Sequence, residues 1–130
     1  MSIYEDAAKK LAKEIDQEIC NTIRSSARIT QFIGKEDFIE NLKRALEFLN
    51  RPEYYLVANP DNQEILESWV RSDKDLKIKV LYSPMVQSTE LLLVKNGAVT
   101  ATTYMEPCKV GNISREYKVN PDEVRVLRIK

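Results

Sequence analysis

The sequence predicts an α+β fold: a long N-terminal helix and two further helices packed on a mixed, largely antiparallel sheet. Three observations predict it. Apolar residues recur every three or four positions in three stretches before residue 73. Beyond residue 76 the apolar residues instead alternate or form short runs bounded by turn residues. The resulting order is helix, helix, strand, helix, then several strands, and that order belongs to α+β proteins.

The first helix is expected over Ile3 to Ala27. Ala8, Leu11, Ile15, Ile19 and Ile23 form one apolar stripe, and Lys9, Lys10, Lys13, Glu14, Asp16, Gln17 and Glu18 lie between them. Such a helix lies along a surface or against a partner. Arg28 to Ile33 reads as a short strand. After Gly34 a second helix is expected over Glu36 to Asn50. Phe38, Leu42, Ala45, Leu46 and Leu49 should be buried, flanked by Ile39 and Phe48. Glu36 and Asp37 suit its first turn, and Pro52 ends it.

Tyr54 to Ala58 is a short strand, apolar on both sides and therefore central. Asn59-Pro60-Asp61 opens a third helix, with Asn59 as cap, Pro60 at the first position and Asp61 favouring the dipole. Ile65, Leu66, Trp69 and Val70 should face its core. Lys77 to Tyr82 alternates, with Ile78 and Val80 on one face. Ser83 to Thr89 is a loop. Leu91 to Lys95 and Ala98 to Met105 flank Asn96-Gly97, a pair that favours a two-residue hairpin with positive φ at both positions. Val110 to Val119 and Val124 to Ile129 are the last strands, joined through Asn120-Pro121-Asp122. The expected core includes Leu42, Leu46, Leu56, Val57, Ile65, Trp69, Ile78, Val80, Leu92 and Val94.

Composition bounds the function. The 130 residues make one ordinary domain, numbered 1–130, long enough to fold without disulfide or metal. Twenty basic and 20 acidic residues balance to zero, which argues against non-specific binding to nucleic acid or anionic membrane. The absence of histidine removes a neutral-pH general base, Ser-His and Cys-His nucleophiles and histidine metal sites. Cys20 and Cys108 lie far apart and match no metal-ligand spacing, so both are expected reduced and buried in a reducing compartment. No apolar run reaches the length of a signal peptide or membrane span.

Few motifs carry chemistry. Asp61, Asp75 and Lys77 follow the order of a metal-nuclease site, in which two carboxylates hold Mg²⁺ and a lysine steadies the attacking water. The same residues are explained as a helix start and a charged, solvated turn. Gly34, Gly97 and Gly111 are too sparse for a phosphate loop. Arg125, Arg128 and Lys130 mark the last strand as a charged edge. Catalytic, cofactor-binding and metal residues are therefore assigned to none, and the chain is expected not to be an enzyme.

Three segments together carry a resemblance. They are the helix Leu11 to Ile19, the strand–Asn-Pro–helix unit Glu53 to Trp69, and the strands Lys77 to Val86, Thr89 to Val94 and Val124 to Ile129. Their order resembles the major capsid proteins of tailed phages, a fold shared with encapsulin shells. The resemblance implies a spine-like helix and short strand over 1–33, an apical-like α/β region over 34–119 and a returning strand over 120–130. Members of that family are usually longer, with an N-terminal arm and an extended loop before the spine helix. Such parts lace subunits together, so a fragment, a minimal relative, a minor component and an unrelated α+β domain all remain open.

The resulting expectation is a capsid-shell protein of phage or provirus origin, acting through contacts with itself or related shell proteins. It would reside in the host cytoplasm and the virion. No membrane, specific nucleic acid, small-molecule substrate or cofactor is expected. The alternatives are the metal-dependent nuclease and an adaptor that docks its first helix on a partner. Under the shell reading, the polar side of the first helix makes intersubunit contacts. Pro84, Met85, Val86 and Gln87 then form an apical oligomer interface, because an exposed apolar tip marks a contact surface. A loop folded back over the sheet is the competing picture.

Overall fold

The computed structural model describes residues 16–105 and 113–130. Its elements, in order, are helix α1 (16–26), β1 (Ile29–Ile33), α2 (Phe38–Ala45), β2 (Tyr54–Ala58), a 3-10 turn (Pro60–Asn62) running into α3 (Gln63–Ser72), β3 (Lys79–Tyr82), β4 (Glu90–Lys95), β5 (Val99–Met105), β6 (Ile113–Val119) and β7 (Val124–Ile129). The mixed α+β class stands. The described part of α1 is shorter than the long helix expected. The rest of that expectation, with Ala8, Leu11 and Ile15, lies outside the described residues, as do Cys108 and the start of the strand expected from Val110.

A five-stranded sheet has the order β1-β7-β4-β2-β3. β1 and β7 are parallel, as are β2 and β3, while β4 runs antiparallel to both β2 and β7. The parallel β2–β3 pair requires a crossover, and α3 supplies it. The sheet is covered on both faces. α2 and α3 enclose Leu42, Leu46, Leu56, Leu66, Trp69, Leu91, Leu93 and Leu127 on one side. α1 covers Cys20, Ile23, Val86, Leu92, Ala98, Val124 and Val126 on the other. This two-sided cover explains the continuous run Leu91-Leu92-Leu93: successive side chains point to opposite faces, and both faces are core. β2 likewise has neighbours on both sides.

Several expectations are corrected. Asn96-Gly97 does turn the chain, with the Ala98 N–H donating to the Lys95 carbonyl at 2.9 Å, but β4 and β5 do not pair. β4 stays in the main sheet and β5 forms a separate antiparallel ribbon with β6, in register Ala101 to Tyr117. Of the two turn residues Gly97 alone has positive φ, at 86°, as in the third position of a type II turn. The primed hairpin turn would need Asn96 there too.

α2 is shorter than expected and starts at Phe38. Asp37 is its cap, in the left-handed region at φ 52°, and Glu36 lies outside, so Glu40 supplies the acidic first turn. After Ala45 the chain continues in tight turns, with the Leu49 N–H donating to the Leu46 carbonyl at 2.9 Å. Leu46 and Leu49 therefore still pack inward, whereas Phe48 points out and is 81% exposed. On α3 the inward face is narrower than expected: Leu66 and Trp69 are buried, but Ile65 and Val70 are exposed. Val57, Val80 and Val94 are only half-buried, each packed against one core. β7 is no edge. It lies between β1 and β4, so its arginines do not guard an open strand.

Candidate functional site

The loop Ser83 to Thr89 runs from the end of β3 to β4. Its backbone is held from three directions. The Ser83 N–H donates to the Ala58 carbonyl at 2.9 Å. Asn59 Nδ2 donates to the Val86 carbonyl at 2.7 Å, and Asn62 Nδ2 donates to the Ser88 carbonyl at 2.9 Å. Asn59 thus works twice, because its Oδ1 also accepts the Asp61 N–H at 2.8 Å as the expected cap. From α1, Arg24 Nη2 donates to the Met85 carbonyl at 2.7 Å.

This loop folds back on the sheet. Val86 is fully buried in the core under α1, and Met85 packs against the same core. The exposed apolar tip expected of Pro84, Met85, Val86 and Gln87 is corrected accordingly: Pro84 and Gln87 face outward, and Val86 offers no surface. The physical reason is that β4 is apolar on both faces, so the α1 face of Leu92 needs a cover that one helix does not complete.

The most unusual polar group in the fold was not anticipated from sequence. Glu90 is fully buried and its Oε1 accepts from Arg24 Nε at 2.7 Å and from the Gln87 N–H at 3.0 Å. Among the described residues its Oε2 has no hydrogen-bond partner. The Arg24 side chain is 19% exposed, so the pair is close to the surface on one side only. The arginine fork spans a carboxylate on β4 and a carbonyl of the loop, and so clamps α1 to both. A charged residue directly before the run Leu91 to Val94 was the available signal. Beside the pair, burial pushes the Cys20 thiol up, with Arg24 opposing it.

The other surfaces are sheet edges. On β1, Phe32 is 57% exposed and Lys130 Nζ sits 4.6 Å from its ring centroid. On β3, Leu81 is 50% exposed. A groove of about 600 Å³ runs between α3 and β3, lined by Glu67, Val70, Arg71, Lys79 and Val80 among others. Of the apolar stripe expected on the first helix, Ile23 is buried on the chain's own sheet and Ile19 packs against the same core.

The nuclease candidates do not form a site. Asp61 is exposed at the 3-10 turn, and Asp75 and Lys77 are exposed in the connection before β3. Their backbone is tied to Asn50, whose Nδ2 donates to the Asp75 carbonyl at 3.0 Å and whose Oδ1 accepts the Lys77 N–H at 2.8 Å. Among the described residues, no group of three or more acidic, cysteine or histidine side chains could hold a metal ion. No described helix is long and apolar enough to cross a membrane.

No protein-family model matches the sequence, and no curated protein matches it. Among solved structures, the fold is similar to that of a virus-like particle protein from Pyrococcus furiosus, with a TM-score of 0.66 at 13% sequence identity. The match covers 95% of this chain and 64% of that one, so this chain spans less than two thirds of the neighbour's length.

Proposed function

We propose that this chain is a structural subunit that assembles with copies of itself, or with related shell proteins, into a capsid-like shell of phage or provirus origin. The fold likeness to a virus-like particle protein over nearly the whole chain carries this reading. The path of the chain supports it. β7 returns to lie parallel beside β1, as a terminal strand rejoining the base of a spine helix would. On this reading 1–33 is the spine-like part, 34–119 the apical part and 120–130 the return, all within one domain. The protein works through its surfaces and carries out no chemistry, in the host cytoplasm and then in the virion.

The loop contact is narrowed to Pro84 and Gln87, which stand out from a backbone fixed by Asn59, Asn62 and Arg24. A rigid exposed turn loses little freedom when a neighbour meets it. Size-exclusion chromatography with light scattering tests this. The wild type should elute as a species many times its 15.0 kDa mass. Pro84→Glu with Gln87→Glu should shrink that species while circular dichroism stays unchanged. An unchanged size distribution would remove the loop from the interface.

A further inference from the structure

We infer that the outer edge of β3 pairs antiparallel with the same edge of a second copy, across a two-fold axis at Leu81. The inference rests on the self-assembly reading and names one of its contacts. β3 is the last strand of the sheet, and nothing among the described residues pairs with its outer side. The Ser83 N–H donates inward, to the Ala58 carbonyl. Backbone groups alternate sides along a strand. Lys79, Leu81 and Ser83 therefore turn theirs toward β2, and Val80 and Tyr82 turn theirs outward.

The neighbouring residues restrict how this edge can be used. On one side the Ile78 N–H is already taken by Asn50 Oδ1 at 3.1 Å. On the other, Pro84 has no N–H to give. The usable window is thus Lys79 to Ser83. A two-fold register centred on Val80 would call on Ile78, and one centred on Tyr82 would call on Pro84. Centring on Leu81 alone places Val80 opposite Tyr82 of the other copy, twice over. Each such pair exchanges both of its bonds, about four in all.

Side chains agree with this register. Leu81, half exposed alone, meets its own copy in a close non-hydrogen-bonded pair. Lys79 falls opposite Ser83 of the second copy, not opposite a second lysine. The two Lys79 positions are about 13 Å apart along the strand, four residues at roughly 3.3 Å each, which exceeds the Debye length at physiological salt. A short strand with a lysine normally discourages edge pairing; here that lysine leaves one self-complementary register open. The contact is small and isologous, suited to be one of several weak contacts in a shell.

The experiment is oxidative cross-linking of the full chain carrying Leu81→Cys, with Cys20→Ala and Cys108→Ser to remove native thiols. A non-hydrogen-bonded antiparallel pair has Cα atoms about 4.5 Å apart, within disulfide range. Under mild oxidation the variant should convert to covalent dimer, at least tenfold faster than the same background carrying Phe32→Cys on the opposite edge. Equal or slower cross-linking at Leu81 overturns the inference. Particle size of the uncross-linked protein separates it from the shell reading. Particles without Leu81 cross-links leave the shell and remove this contact. Cross-linked dimers without larger particles keep the contact and remove the shell. A monomer that does not cross-link removes both.

Discussion

Replacing Arg24 by alanine removes the only cation that faces Glu90 within ion-pair distance among the described residues. Glu90, fully buried in the intact protein, would have among the described residues only the Gln87 N–H left to donate to its carboxylate. Breaking a buried pair from one side typically costs 3–5 kcal/mol, because the remaining charge is uncompensated. Arg24 is partly exposed, so water can reach the gap, and the lower end applies: about 3 kcal/mol. The same substitution frees the Met85 carbonyl and so loosens the loop that buries Val86. For a chain of this size about 1 kcal/mol corresponds to roughly 4 °C, giving a Tm about 12 °C lower. Arg24→Met combined with Glu90→Leu, which removes both charges, should recover most of the loss. Differential scanning calorimetry and urea unfolding measure both variants. A loss below about 0.5 kcal/mol for Arg24→Ala, or a double variant less stable than the single one, would refute the clamp.

Two further outcomes follow from burial. Leu42→Ala, at a fully buried position between α2 and the sheet, should cost about 3 kcal/mol in urea unfolding, whereas Phe48→Ala should change stability by less than about 0.5 kcal/mol. The raised Cys20 thiol gives a pH dependence with a definite sign. Its contribution is present in full below the unfolded thiol's pKa of about 8.5 and is lost as pH rises through the higher folded value, since only the unfolded chain ionises early. Tm should therefore fall more steeply between pH 8 and 10 in the wild type than in Cys20→Ala; parallel curves would contradict it.

Much of the fold was legible because local signals agreed with the tertiary structure. Asn59-Pro60 caps and starts a helical turn as its chemistry demands, and Val124 to Ile129 is a strand rich in β-branched residues, with Val124, Val126 and Ile129. The failures lie where partners distant in sequence decide. Asn96-Gly97 marks a turn, but the strand beside β4 is chosen by the buried faces of β2 and β7, so β5 leaves for β6. Phe48 reads as apolar and periodic, yet the helix has ended before it. The loop at Val86 looked like a tip because its seven residues do not show that Asn59, Asn62 and Arg24 pull it inward. Glu90 is buried because Arg24, 66 positions away, reaches it, and no local pattern encodes that pairing.

Negative-stain electron microscopy of the purified full chain, over a wide range of concentration, tests the central claim most directly. Self-assembly through repeated weak contacts predicts rings, sheets or closed particles of uniform curvature, appearing above a threshold concentration and lost on loop or edge substitution. A field of single 15.0 kDa molecules at every concentration would contradict it.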